Sequence, residues 1–390
     1  MIEHSIRGFE EELREIRHQI HENPELGLKE FKTSALVAEK LRLWGYEVEQ
    51  GLATTGVVAT LKVGDGEKSI GLRADMDALP IYENSGKSWA SKHPGLMHAC
   101  GHDGHTTILL GAARYLAETR RFNGTLRLIF QPAEEMINGG EIMVKEGLFD
   151  RFPCDVIFGM HNMPGLPVGK FYFQPGALMA SMDQFYITVR GCGGHGAIPH
   201  KAIDPVLVAA HITTALQSIV SRNVDPLEAA VITVGSIVAG EAANVIPDSA
   251  EMKISVRSLS RETRQLLLAR IPALAQAQAQ AISFGATADV THVNGTPVLV
   301  NDEEMARFAW QVACKTFGED RAGFGIKPLM GSEDFSFMLE VQPKGAFLLF
   351  GNGDVGEGAC MVHNPGYDFN DASLVPASSY WGALVEAWLQ

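Results

Sequence analysis

No stretch of the 390-residue sequence approaches 18 consecutive apolar residues, so a membrane-spanning helix is not expected. The amino-terminal segment MIEHSIRGFEEELREIRHQI lacks the apolar centre of a secretion signal, which predicts a cytoplasmic protein. Basic residues are scarce: 32 Lys and Arg face 46 Asp and Glu, for a formal net charge of -14. That balance argues against nucleic acid and against a membrane surface as partners. Cysteines are few and odd in number, at positions 100, 154, 192, 314 and 360, in a chain large enough to need no disulfide staples. They are expected to be free thiols, most of them buried as small hydrophobes. Repeats are absent, and the one biased tract, AQAQAQA, reads as alanine-rich helix. What is present is ordinary globular composition, 46% apolar and 20% charged, at a length that favours two domains over one.

The apolar spacing of residues 1–45 predicts two helices broken at HENPELG, where Asn23-Pro24 and Gly27 supply turn chemistry. TGVVATLKV, KSIGLRADMDALP, GTLRLIFQP and CDVIFGMH then read as buried strands, with HTTILLGAARYLAE as a helix among them. Such alternation indicates an α/β fold whose parallel or mixed sheet is covered by helices. From about Asp183 the pattern changes. QFYITVRG, a helix near 204–221, AAVITVGSI, AEMKISVRS and a long helix from Glu262 to about Ser283 form a compact α+β set. After HVNGTPVLVN the α/β pattern returns, with a helix at 302–317, the strand GAFLLFG and a last helix. The simplest organisation is a larger domain, 1–182 with 297–390, into which a smaller α+β domain, 183–296, is inserted.

Open α/β sheets deliver functional groups at the carboxyl ends of their strands. Here three strand runs end in Asp75 and Asp77, in Glu134 and Glu135, and in His161. The stretch MHACGHDGH adds Cys100 and His102, and MVHNPGYDFND adds His363. A structural zinc needs only four ligands, whereas this set offers thiolate, imidazole and carboxylate enough for two transition-metal ions with open positions. Taken singly, each residue has a plainer reading. An Asp or Glu after a strand caps helices or faces water, and CGHDGH could be a turn with a free thiol and a helix cap at Asp103. Their joint occurrence makes the plainer reading improbable.

RADMDALP, MHACGHDGHT, FQPAEE, GMHN, GGHGAIPH, NVIPD and SEDF, taken in order, resemble the motifs of the M20 metallo-amidohydrolases, in the branch of hippurate and auxin-conjugate hydrolases. The resemblance runs from IRHQIHENPELG to HNPGYDFND, nearly the whole chain. It implies a mixed-sheet, zinc-peptidase-like catalytic domain with the inserted α+β domain serving as lid and dimerisation unit. It also implies two divalent ions held by Cys100, His102, Glu135, His161 and His363, with Cys100 bridging in place of the aspartate of other branches. Asp75 stands where those branches carry a histidine ligand. Zinc is the favoured metal, with manganese, cobalt and nickel as alternatives. Glu134 resembles the general base, and Asp77 the acid that fixes a ligand imidazole. His195, offered across a dimer interface, is implied to stabilise the oxyanion, while Asn244 and Arg257 hold the substrate carbonyl and carboxylate.

The expected reaction is hydrolysis of an N-acyl amino acid to a carboxylic acid and a free amino acid, with an aromatic acyl group as in N-benzoylglycine favoured. N-acetyl-amino-acid deacetylase, indole-acetyl-amino-acid hydrolase and dipeptidase are alternatives of the same chemistry. Two readings come from other classes: a thiol hydrolase with Cys100 as nucleophile, and a non-catalytic metal- or peptide-binding relative. The first leaves Glu135, His161 and His363 without a purpose. A homodimer is expected, with a homotetramer as the alternative. Ser332 and Glu333 are expected near the substrate and His105 as a structural residue, while His200 has no assigned role.

Overall fold

The computed structural model describes residues 2–390, apart from the side chain of Ile137. No helix among these residues is long and apolar enough to cross a membrane. The chain forms two compact units, one comprising Met1–Gly176, Val300–Lys327 and Asp334–Gln390, the other Ala177–Leu299 and Pro328–Glu333.

The first unit is built on an eight-stranded mixed sheet. In spatial order its strands are Glu47–Leu52, Gly56–Val63, Gly124–Gln131, Ser69–Asp75, Val156–Pro164, Gly345–Gly353, Phe171–Phe173 and Ala322–Phe324. The four central strands, Gly124–Gln131 through Gly345–Gly353, run parallel to one another, and the strands that flank them pair antiparallel. Helices cover both faces of parallel strands, which explains why TLRLIF, VIFGM and GAFLLF are continuous apolar runs instead of alternating ones. Asp75 pairs in register with Gln131, so the residues that follow these two strands emerge side by side at one edge.

The helix His102–Thr119 is buried along nearly its whole circumference, among the helices Glu10–Glu22 and Leu374–Trp388. A Cβ at Gly111 would come within 2.5 Å of the Ser378 hydroxyl, so only glycine permits this approach. Trp381, Tyr115 and Tyr380 fill the same core.

Two local expectations differ from the structure. The first 45 residues form three helices, Ile2–Arg7, Glu10–Glu22 and Phe31–Leu43, because the chain also turns at Gly8-Phe9, where Gly8 N–H donates to Ser5. The strand Glu47–Leu52 is additional to the expected strands, because its residues are mostly exposed and polar and EVEQGL carries no apolar alternation.

The second unit contains a four-stranded antiparallel sheet in the order Ala230–Val238, Ser249–Ser258, Ser181–Arg190, Thr287–Thr296. Phe185, Ile187 and Val189 alternate with Met252, Ile254 and Val256 to line one face. Against that face pack the helices Pro205–Asn223 and Arg261–Ile282, the latter through Leu267, Ile271, Ala275 and Ala279. Local signals set their starts: Asp204 accepts from Val206 and Leu207 N–H ahead of Pro205, and Ser260 accepts from Thr263 N–H. The mixed α/β class with a smaller α+β insertion is therefore the observed architecture.

Candidate metal centre

Side chains from five segments of the first unit converge beyond the carboxyl ends of the central strands. Gly101 separates Cys100 from His102 with φ of 93°, and a Cβ there would lie 2.4 Å from Asn162 Oδ1 and 2.5 Å from the Tyr367 hydroxyl. Glycine is required at this point. It turns the chain so that Cys100 Sγ sits 3.3 Å from His161 Nε2 while His102 opens the following helix. His363, itself left-handed at φ 64°, is tied by its N–H to Ala99 O at 2.7 Å and brings Nε2 to 3.2 Å from Glu135 Oε1.

Two triads of potential ligand atoms share one residue: Cys100 with His102 and His161, and Cys100 with Glu135 and His363. His102 also groups with Glu134 and Glu135, and with Asp75 and His105. Whether these residues suit a metal can be tested on unsatisfied atoms. His102 Nε2 and Glu135 Oε1 are buried and have no hydrogen-bond partner, although Glu135 Oε1 is within ion-pair distance of His363. Buried polar atoms are nearly always paired, and leaving one unpaired costs about 1–3 kcal/mol, so two orphans aimed into one cluster fit a cation. The donor types fit as well, since thiolate, imidazole and carboxylate together suit a borderline transition metal.

Electrostatics point the same way. Burial pushes the Cys100 thiol well up, and Glu135, Glu134 and Asp75 add to it. Burial alone would lower His102, but Asp75, Asp77 and Glu135 push it up to about 10. His161 is held well down by burial and by the neighbouring His105. A thiol and an imidazole crowded by buried carboxylates favour a bound positive charge. They do not favour a lone thiolate nucleophile, whose surroundings are normally electropositive and partly exposed.

Around the cluster lies a layer of oriented partners. Asp77 Oδ1 is 3.2 Å from His102 Nδ1, and Asp77 Oδ2 accepts from Glu135 N–H at 3.0 Å. One carboxylate thus orients two of the converging residues. Asp75 lies 2.7 Å from His105 Nδ1 and accepts from Arg73 at 2.7 Å, while His105 Nε2 faces Asn162 Oδ1 at 2.7 Å. His102, His105 and Arg73 hold the Asp75 carboxyl well below its ordinary range against the effect of burial. Asp103 does not cap the helix. It is fully buried in the first turn, 2.8 Å from His21 Nδ1, and Gly101 occupies the cap position.

The remaining candidates belong to the second unit. His195 pairs with Val245 across a two-residue ladder, and Asn244 O accepts from Gly196 N–H at 2.8 Å, so the two loops carrying His195 and Asn244 are adjacent. Both residues are exposed. His195 Nδ1 accepts from Ala197 N–H at 3.0 Å, which leaves the ring proton on Nε2. Arg257, half-buried on Ser249–Ser258, donates to Met330 O at 2.8 Å. Ser332 and Glu333 fall in Pro328–Glu333 of the same unit, and His200 is exposed in a short helical turn. Sequence reasoning gave no role to the buried polar residues Glu30, Arg73, Gln131 and Asp334, although the last three lie within RADMDALP, FQPAEE and SEDF.

Ligand-type residues at the ends of a mixed sheet, with a carboxylate beside them, define a metal-dependent amidohydrolase. Residues 71–387 match peptidase family M20/M25/M40. The hippurate hydrolase of Campylobacter jejuni subsp. jejuni is 48% identical over 385 residues, covering 99% of this chain and 98% of that one. The N-acetyl-L-cysteine deacetylase of Bacillus subtilis is 38% identical over 377 residues, covering 96% and 88%. Among solved structures, the Bacillus subtilis YXEP protein, a dinuclear metal-binding peptidase of the M20 family, superposes with a TM-score of 0.84 at 33% identity, covering 98% and 99%. The chain belongs to peptidase family M20/M25/M40.

Proposed function

We propose that this amidohydrolase uses two divalent metal ions to hydrolyse N-acyl amino acids, with an aromatic acyl group as in N-benzoylglycine preferred. The observation that carries the reading is Cys100, the residue common to two ligand triads. Cys100, His102, Glu135, His161 and His363 would hold the ions, zinc being favoured by the thiolate and imidazole donors. When bound, such ions supply Lewis acidity toward a water molecule and the amide carbonyl.

The chain's own groups do the rest. Glu134 takes a proton from the attacking water and returns it to the leaving amine nitrogen. Asp77 keeps the His102 ring oriented through Nδ1 and holds the backbone of Glu135, fixing both relative to Glu134. His195, with its proton on Nε2, donates to the developing oxyanion across a homodimer interface, and Asn244 binds the same carbonyl. Arg257 pairs with the free carboxylate of the substrate through its planar fork. In this reading the first unit is the catalytic domain, and the second is the lid and dimerisation domain.

The preference for a benzoyl group rests on the 48% identity to a hippurate hydrolase, and N-acetyl amino acids are the competing substrates, as in the deacetylase relative. The test is release of free amino acid from N-benzoylglycine, N-acetyl amino acids, indole-acetyl conjugates and dipeptides. Protein stripped by chelator is refilled with zinc, manganese, cobalt or nickel one at a time. Activity should vanish on stripping, return with metal and be highest on N-benzoylglycine. Activity that survives stripping would overturn the metal mechanism, and a faster N-acetyl substrate would overturn the acyl preference.

A further inference from the structure

The turn that carries Glu134 and Glu135 is held in an uncommon shape. Ala133, just before it, is left-handed at φ 56° and ψ 43°, and Asn138, just after it, is left-handed at φ 55° and ψ 59°. Between them Glu134–Ile137 makes a single helical turn. A non-glycine residue in this region is strained and persists only where its surroundings impose it. Here the surroundings are three buried carboxylates, each capturing a backbone N–H of the segment. Glu30 Oε1 accepts from Ala133 N–H at 2.9 Å, Asp77 Oδ2 from Glu135 N–H at 3.0 Å, and Asp334 Oδ2 from Gly140 N–H at 2.8 Å.

Steric constraints close the shape. A Cβ at Gly27 would sit 2.8 Å from the Ala133 Cβ, and one at Gly139 would sit 1.8 Å from Pro132 O. Asp334 is in turn fixed by Arg73 at 2.9 Å and by Gln131 at 2.7 Å. Glu30 is fixed by the Thr55 hydroxyl, which donates to its Oε2 at 2.6 Å.

Of the three, Glu30 grips the residue whose dihedral angles set the direction of everything after it. Were Ala133 to relax to a right-handed or extended conformation, Glu134 and Glu135 would leave the strand end along a different path. Burial raises the Glu30 carboxyl to about 7, partly opposed by the Thr55 and Ala133 bonds. A fully buried carboxyl is costly to stability unless fixed partners compensate it, and here those partners are the Thr55 hydroxyl and the Ala133 N–H. We propose that Glu30 is a positioning residue for the hydrolytic reaction, acting through the Ala133 N–H to hold the left-handed turn that aims Glu134 and Glu135. The inference rests on the reading of Glu134 as base and Glu135 as metal ligand.

The test compares three changes at Glu30 in the zinc-loaded protein with N-benzoylglycine, recording kcat, KM and competition for zinc against a chelator. Glu30→Gln keeps an acceptor for Ala133 and a partner for Thr55, so it should stay within about threefold of the parent, since a preserved geometry preserves the rate. Glu30→Met matches the length without an acceptor. It should lower kcat about 10- to 100-fold and weaken zinc binding about tenfold, with KM changed less than about threefold. If the Met variant does not fold, Glu30→Asp, which keeps the charge but withdraws the acceptor, should give the same split.

In an Ala133→Gly background the loss from Glu30→Met should shrink, because glycine takes the left-handed conformation without strain. Unchanged kcat and zinc affinity in a folded Met or Asp variant would overturn the proposal, as would an equal loss in the glycine background. Glu134→Ala, measured alongside, separates the two claims: if it retains turnover, the reading of the base has failed, whereas a dead Glu134→Ala with an active, zinc-retaining Glu30→Met refutes only the role of Glu30.

Discussion

The two units carry most of their functional candidates in opposite ways, with His363 in the first exposed and Glu333 in the second buried as exceptions. In the first, Cys100, His102, Asp75 and Asp77 are buried, and His102 and Asp75 touch neighbours that are themselves tied down. The support extends outward: His21 lies between Asp103 and Glu83, and Arg17 pairs with Asp368 and Asp371 at 2.8 Å each. In the second unit, His195 and Asn244 are exposed on short loops, and Arg257 is half-buried at a strand end. Burial explains the contrast. Ionisable groups out of water must be compensated by fixed partners, so a buried cluster brings a scaffold with it, whereas exposed groups are solvated and need only the backbone to aim them.

That contrast can be broken or sharpened by substitution, and the largest effect is expected at the base. Glu134→Ala should lower kcat about 10²- to 10⁴-fold while leaving metal content unchanged, measured by turnover and by elemental analysis on the same sample. Retained turnover would remove Glu134 from the mechanism. His195→Ala should come next, with a loss in kcat of about 10²- to 10³-fold for a removed oxyanion donor. Because His195 is exposed, its thermal unfolding should match the parent within about 0.5 kcal/mol, and a large loss of stability would place His195 in the structural class instead.

The smallest effect concerns the scaffold. Burial would lower His21, but Asp103 and Glu83 raise it to about 9 from its ordinary 6.5. A raised folded-state value means that the imidazolium contributes stability fully below pH 6.5, and that this contribution fades as pH rises through 9. Comparing His21→Gln with the parent by denaturant unfolding across that window should show a gap of roughly 3 kcal/mol at the acid end that narrows toward the alkaline end. A gap independent of pH would mean that His21 acts by packing alone.

Much of the first unit's framework was legible because its signals are local. Apolar runs such as VIFGM and GAFLLF mark buried parallel strands wherever they occur, and polar residues after them fall at the strand ends. The exposed strand Glu47–Leu52 was not legible, since its pairing with Gly56–Val63 is made by backbone groups that leave no side-chain pattern. The part played by Asp103 was not legible for a related reason. An acidic residue at a helix start suits capping and ion pairing equally, and only the arrival of His21, 82 residues away in sequence, decides between them.

By itself the sequence determined which chemistry the chain can hold: soft and borderline ligands at strand ends, glycines where the backbone must turn sharply, and an acid beside an acid at Glu134-Glu135. Those properties belong to residue types and short spacings. Only the tertiary structure decided which acids do what. Nothing in the sequence shows that Glu30, Asp77 and Asp334 each capture a different backbone N–H of one segment, residues 133–140. Likewise Cys100 becomes common to two triads only when residues 102, 135, 161 and 363 are folded around it. The physical reason is range: hydrogen bonding and charge pairing act over a few ångströms in space, and the chain brings those partners together from more than 200 positions apart.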